Sequence, residues 1–492
     1  MKYCTFLLGL ALLAAGCVGG PPPGDPTPPD IAVSSAVHQV GFTTSGEISG
    51  WYVPLQRGQA IKYGSTFNLA PARPDLPSQP GLPYRVGTVL IHSQLASCDS
   101  VQHQLEAVPT GDDGADDQVI TFVCTMGQST LTRTYTVHRY AHTVDVSIQL
   151  DPPQPIQFLW PFGLATSQVP GRGLVVELGE PGGRAKQLFE GGRGFTVRDV
   201  SYVALSTGEH SGFTALLRPI TPADGVVASE QLTAEANFNL PDRPILGLAS
   251  DTGVLRFKIY GGPKELVRLR AEHQDDLPAF FQANFFGNIA LGIVAALEWT
   301  KTIVSSWGLA IVLITIAFRL LVWPFMTPQM RTMKVQAAAM QQLKPELEKL
   351  KKKYKDQREL NRATMELYQK HGINPAAQLT GCLPLVLQYP VLIAFWGAFR
   401  NYEFAGQGFL WIGDLAVPNI VLGIIYLGAM VLQMRLSTTD RKMLQQQLIF
   451  TIMFIYLIFS FPAAVMLYWL VSTLMGILQQ WVVNRMPLPQ PA

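Results

Sequence analysis

The sequence lacks the motifs that most readily declare an activity. Its 492 residues contain no glycine-rich loop ending in Lys-Ser or Lys-Thr, no Gly-x-Ser-x-Gly and no His-Glu-x-x-His. Nucleotide hydrolysis, an α/β-hydrolase nucleophile and a zinc-peptidase helix therefore have no sequence support. Charge is scarce as well: 15% of residues are charged, and they nearly cancel to a net +2. That balance points neither toward nor away from nucleic acid, and no specific DNA binding is expected. Seven of the eight histidines precede residue 275, scattered. The nearest to a metal spacing is His138-x-x-x-His142, in a strand-like stretch where exposed, non-ligating side chains are expected. No catalytic residue, cofactor or metal is expected, and enzyme is the least supported class. Long apolar runs are also missing from the first half; they begin only after about residue 275.

What is present is organised around one charge. Residues 307–326 form an apolar run of membrane-spanning length with Arg319 inside it. A guanidinium at mid-membrane costs about 2.5–3.5 kcal/mol on insertion scales, so it persists only where it faces protein or water. Snorkelling from a helix end is the plainer explanation, but Arg319 is several residues from either end. A functional, water-facing arginine is the stronger reading.

The N-terminus reads as an export signal. Lys2 precedes an apolar core over 6–15, too short to span stably. Small residues Ala14, Ala15 and Gly16 lead to Cys17, which suits a lipidated N-terminal cysteine; an uncleaved signal anchor is the alternative. Residues 1–17 are thus signal-like, and 18–30 form a Pro/Gly-rich linker. From 31 to 275 the pattern has period two, punctuated by Gly, Pro and Asp, and predicts an all-β antiparallel sandwich outside the cytoplasm. Segments 129–138 and 143–150 read as paired strands, and 254–260 as the last. Cys98 and Cys124 are this domain's only cysteines and are candidates for a disulfide in an oxidising compartment.

The second half predicts a polytopic α-helical membrane protein. Region 276–306 has a short apolar run and parity assigns it to the outer interface, as an amphipathic helix lying flat. Residues 327–375 carry eleven Lys/Arg against five acids and belong inside, as a basic helical hairpin broken at Asp356-Gln357 with a second helix from Glu359. Its Lys351, Lys352 and Lys353 suit a phosphate-bearing cytoplasmic partner; a solvated helix face is the plainer reading and the one preferred. Four further runs, near 379–399, 417–434, 448–461 and 463–483, make five spans and occupy 376–485 with their loops. The loop 399–418, with little positive charge, is assigned outside; Arg435 to Lys442 and Arg485 are assigned inside, leaving 486–492 as a short cytoplasmic tail.

These features in this order resemble the YidC/Oxa/Alb insertases. The matching residues are Trp307-Gly, Arg319-x-x-x-x-Pro324, the basic hairpin, Leu367 to Asn374-Pro375, Gly381-Cys-Leu-Pro384 to Gln388-Tyr-Pro390, and Phe461 to Tyr468-Trp469. The bacterial form with a large periplasmic β-sandwich is the nearest pattern. The resemblance implies a multi-pass protein of the bacterial inner membrane, with the sandwich in the periplasm and the C-terminus in the cytoplasm. It implies insertion of nascent membrane proteins through a hydrophilic groove open to cytoplasm and lipid, without ATP, alone or beside the Sec translocon. Arg319 corresponds to the groove arginine, and Thr315, Gln433 and Trp469 to groove-facing positions. The plainer alternatives are an interfacial belt aromatic for Trp469 and a helix-end polar residue for Gln433. Two departures stand out: Ala376 to Thr380 separates Asn-Pro from Gly-Cys more widely than usual, and no long basic tail follows Arg485. Ribosome contact would then fall to the hairpin and the 435–442 loop.

The main alternative is a solute channel or transporter with Arg319 in its path, but neither an internal repeat nor paired Gly/Pro-broken helices accompany it. A lipid-anchored binding protein whose spans only tether it would not need a buried arginine.

Overall fold

The computed structural model describes residues 29–54, 67–70, 85–110, 115–160, 174–180, 185–187, 195–207, 213–230, 243–272, 285–354, 356–370, 393–399, 402, 404, 406–437 and 459–486. Cys17 and the signal-like segment, the Asn374-Pro375 and Gly381 to Pro390 motifs, most of the 379–399 and 448–461 runs and the tail lie outside them. The chain divides into two compact units, Met1–Gln282 and Ala283–Ala492.

The first unit is built of strands. They are β1 (Ile31–Ser34), β2 (Gln39–Phe42), β3 (Ile48–Val53), β4 (Phe67–Asn68), β5 (Thr88–Ile91), β6 (Gln94–Leu95), β7 (Ser100–Thr110) and β8 (Ala115–Met126). Next come β9 (Ser129–Val137), β10 (Thr143–Asp151), β11 (Ile156–Trp160), β12 (Leu174–Gly179), β13 (Ala185–Gln187), β14 (Phe195–Val197) and β15 (Tyr202–Thr207). The series ends with β16 (Phe213–Pro219), β17 (Asp224–Glu230), β18 (Arg243–Ser250) and β19 (Val254–Pro263). Three sheets result: β1-β2-β3-β4, a nine-stranded β13-β12-β15-β16-β19-β10-β9-β8-β7, and a six-stranded β14-β17-β18-β11-β5-β6.

Alternation explains the layers. In β9, Leu131, Arg133, Tyr135 and Val137 point inward, and in β10 so do Val144, Val146, Ile148 and Leu150, directly opposite them in antiparallel register. One core is shared by all three sheets. Phe158 of the six-stranded sheet meets Phe257 of the nine-stranded sheet at 4.7 Å, and Phe42 of the small sheet meets Tyr135 at 4.9 Å. The two large sheets are thus the faces of a sandwich that the small one closes. The inward Arg133 is satisfied in part by the Gly87 carbonyl at 3.2 Å, and Tyr135 donates to the Gly46 carbonyl at 2.9 Å. Cys98 and Cys124 are disulfide-bonded, with Cα atoms 5.4 Å apart.

The histidine pair departs from expectation. His142 is buried, its backbone N–H donating to Glu272 and its ring meeting Arg268 of α1 (Leu266–Ala271). His138 lies 2.6 Å from Asp117 and 3.3 Å from Asp145. Both histidines are therefore used in packing and pairing, not exposed as the strand pattern suggested: the β9–β10 turn folds back against the sheet and the start of α1.

The second unit is helical: α2 (Phe285–Ile303), α3 (Trp307–Lys353), α4 (Gln357–Lys370), α5 (Ile420–Ser437) and α6 (Ala463–Arg485). On α2, Ala290, Val294, Leu297 and Thr300 form one buried stripe. The opposite face carries exposed Phe285, Trp299 and Ile303. Among the described residues, Trp307–Pro328 and Ala463–Arg485 are long and apolar enough to cross a membrane, and Ile420–Leu436 is apolar but shorter.

The hairpin differs from the sequence reading at one point. The 307–326 segment and the basic helix after it are a single helix, α3, running through Pro324, Pro328 and Pro345. It stops at Tyr354, in extended conformation. Asp356 then caps α4, accepting from the Arg358 N–H at 3.1 Å, so this helix starts two residues before Glu359.

Candidate functional site

Helix α6 organises the membrane unit because it packs against both α3 and α5. Its first turns, Ala463 to Tyr468, are buried all round, whereas from Ser472 only Ser472, Gly476, Gln479 and Val483 stay buried, along one stripe. Facing it, α3 buries Ala310, Ile311 and Thr315 and leaves Leu313, Leu320, Leu321 and Phe325 exposed. That exposed face is apolar and unsuited to water.

Arg319 lies one turn after Thr315 on the same face of α3. It is half-buried and makes no ion pair among the described residues. The group it senses electrostatically is Tyr468 of α6. Tyr468 is held by an aromatic layer, stacked on Phe395 at 4.8 Å and 5.5 Å from Phe399, while Phe395 meets Phe318 at 5.0 Å. Thr315 is fully buried and its hydroxyl donates to the Ile311 carbonyl at 2.6 Å, so its proton is already committed.

Trp469 belongs to a second aromatic group. Its ring lies 5.1 Å from Phe461, 5.8 Å from Tyr426 and 6.0 Å from Trp396. Gln433 on α5 crosses α6 at Gly476, where a Cβ would stand 2.8 Å from its Nε2. Neighbouring helix positions point about 100° apart, so Tyr468 and Trp469 serve different faces of α6. No hydrogen bond, ion pair or ring contact among the described residues joins Arg319 to Gln433 or Trp469. Lys351, Lys352 and Lys353 end α3; Lys352 and Lys353 are exposed, with the Lys353 ammonium 5.3 Å over the Tyr354 ring.

Three residues absent from the sequence-based site complete the arrangement. Tyr468 shares the electrostatic surroundings of the arginine; in the sequence it stands in the Phe461 to Trp469 motif as a phenol in an apolar run. Gln479 donates to the Trp323 carbonyl at 3.2 Å and to the Thr327 hydroxyl at 3.1 Å. Lys334 donates to the carbonyls of Val483, Asn484 and Met486 at 3.3, 2.9 and 3.4 Å, closing the C-terminal end of α6. Helix ends leave such carbonyls unpaired and carry partial negative charge, which a lysine satisfies on both counts.

Residues 299–489 match the family model described as 60Kd inner membrane protein. A relative from Deinococcus radiodurans, membrane protein insertase YidC, is 33% identical over 365 residues, covering 72% of this chain and 80% of its own. The chain belongs to the YidC family. Its apolar helices and the family description make it an inner-membrane protein. A YidC from Bordetella petrii is 28% identical across 92% of this chain and 82% of its own. In structure, the chain resembles the crystal structure of an active YidC insertase with the first transmembrane domain resolved. The two share 20% identity with a TM-score of 0.53, and the match covers 99% of each chain, which places the YidC fold on both units.

Proposed function

We propose that this chain inserts newly made proteins into the inner membrane and helps them fold, working without ATP, alone or with the Sec translocon. The observation that carries the proposal is Arg319: a permanent cation, half-buried in an apolar helix, without an acidic partner among the described residues. In this reading five spans enclose a hydrophilic groove, and Arg319, Thr315, Gln433 and Trp469 face it. The β-sandwich stands in the periplasm, tethered by a lipidated Cys17, and the hairpin and C-terminus lie in the cytoplasm, where Lys351, Lys352 and Lys353 meet the ribosome or lipid phosphate.

The physics follows from one unpaired charge. A polar tail crossing the bilayer meets its barrier in the hydrocarbon, and a water-lined half-cavity shortens that path. Arg319 attracts the tail's carboxylates there, more strongly than in bulk water because the surrounding dielectric is low. The following apolar helix then leaves for lipid, gaining about 25 cal/mol per Å² of apolar surface removed from water.

The test is depletion with complementation, following insertion of a small substrate with an acidic translocated tail. Arg319→Ala is expected to abolish insertion and Arg319→Lys to restore it. Normal insertion by Arg319→Ala would rule out the electrostatic step.

A further inference from the structure

The loop between the helical residues 393–399 and α5 ends in an unusual tip. Phe409 and Ile412 exchange both backbone hydrogen bonds, at 2.8 and 2.9 Å, closing a two-residue turn around Leu410 and Trp411. Leu410 has φ 53°, the left-handed region that such turns normally give to Gly or Asn. Leu410 is 76% exposed and Trp411 is 50% exposed. The chain thus puts a leucine in a conformation it disfavours and leaves both apolar side chains outside any core.

Behind the tip the loop is firmly seated. The Phe409 ring packs on Gly308, leaving no room there for a Cβ, and Trp307 meets Tyr402 at 5.2 Å and Phe404 at 5.9 Å. The Leu415 N–H donates to Gln407, and the Ala463 and Ala464 N–H groups donate to Val417 and Leu415, each at 2.9–3.0 Å. The Asp414 carboxylate is engaged by the Ala416 N–H at 2.7 Å. The loop is therefore fixed to the first turns of α3 and α6, at the end of the bundle where both begin. The last turns of α2, which lead to that same end, carry exposed Trp299 and Ile303.

We propose that the Leu410–Trp411 turn is a lipid-interface anchor, dipping into the headgroup–acyl boundary at that end of the bundle. Three observations favour lipid over a polypeptide partner. The turn's two facing residues already pair with each other, the Asp414 carboxylate is occupied, and the residues flanking the two exposed side chains, Phe409 and Ile412, are apolar. Tryptophan has an apolar ring and one N–H donor, and it concentrates at membrane–water interfaces. The anchor also sets a height. Arg319 is eleven residues along α3 from Gly308, about 16 Å at 1.5 Å per residue, close to half of a hydrocarbon core about 30 Å thick. Seating the turn at the interface holds the guanidinium near the midplane.

The test uses the full chain with Cys4, Cys17 and Cys382 replaced by serine. A bimane label is placed at Leu410→Cys or, as the water-exposed reference on α4, at Glu366→Cys. In phosphatidylethanolamine–phosphatidylglycerol vesicles, the label at 410 should be quenched at least threefold more by 5-doxyl lipid than the label at 366. Iodide should quench it at least threefold less. Iodide quenching equal to that at 366, or shielding from both quenchers, overturns the proposal, the latter by showing that protein covers the tip. Leu410→Gly with Trp411→Ser should leave the thermal midpoint in detergent unchanged, because glycine suits the turn. Loss of folding in detergent would make the tip a packing element and overturn the proposal too.

Discussion

Gln479 of α6 donates to the Trp323 carbonyl of α3, bridging the two membrane-spanning helices at the turn containing Pro324 and Pro328. Each proline removes one N–H from the α3 ladder, at the Leu320 and Pro324 carbonyls, and within that weakened stretch the Trp323 carbonyl also accepts from Gln479 and the Thr327 hydroxyl. The bond is partly buried, and an unmet buried polar group costs about 1–3 kcal/mol. Gln479→Ala should destabilise the full chain by about that amount. A thermal midpoint in detergent equal to wild type would mean that the bond is dispensable.

Gly476 leaves the space that Gln433 occupies. In Gly476→Ala the new Cβ meets the end of a flexible side chain, which can swing away, and alanine gains about 1 kcal/mol of helix propensity. Little stability should be lost. Gly476→Leu has no such escape and should cost about 1–3 kcal/mol by prying α5 from α6. Equal thermal midpoints for the two variants would contradict the close crossing.

The Cys98–Cys124 bridge closes a segment with a sequence separation of 26. Chain-entropy reasoning assigns a loop of that size about 3.5 kcal/mol. Cys98→Ser is the cleaner probe because Cys124 is fully buried and its replacement would also bury a hydroxyl. Calorimetry with and without reductant should show a lower transition for the β-sandwich in reductant, and no response to reductant in Cys98→Ser.

Two histidines pull the pH dependence in opposite directions. His138 is raised above its ordinary 6.5, first by the hydrogen bond to Asp145, then by Asp117, against some desolvation. Its stabilisation is complete below pH 6.5 and is lost as pH rises through the higher folded value. Asp145 is lowered: burial alone would raise it, but His138 and Lys258 outweigh that, so its contribution is present above 3.8 and is lost on further acidification. His38 is lowered to about 3 by burial, with the charge of His138 adding to it. The folded ring refuses a proton that the unfolded chain accepts, so stability falls as pH drops below 6.5. His138→Gln should remove the loss on the alkaline side, and His38→Phe the loss between pH 6.5 and 3. Thermal scans across pH that retain both slopes in these variants would refute the assignment.

Much of the fold was legible because period and length are local properties. The alternation in 129–150 gave β9 and β10 within a residue or two, since every second side chain had to enter the core. The length of 307–326 marked a membrane helix for the same reason. Continuity of α3 was not legible: proline normally ends a helix, and the support that Gln479 lends this stretch comes from far along the chain. Nor was His142, whose burial depends on Arg268 and Glu272 arriving from α1. For the candidate site, the sequence supplied Arg319 through the cost of its charge and the remaining positions through family resemblance. Tyr468 escaped because a phenol in an apolar run carries no comparable penalty, and its role is set by Phe395 beneath it.

The Lys334 clamp has a consequence in time. Its acceptors, Val483, Asn484 and Met486, are separated from it by 149 to 152 residues and so are made well after it. Until α6 is made, the hairpin base lacks this partner. The contact thus forms only after α6 is made, and a chain truncated before Val483 would leave the root of its basic hairpin unlatched even with Arg319 already installed.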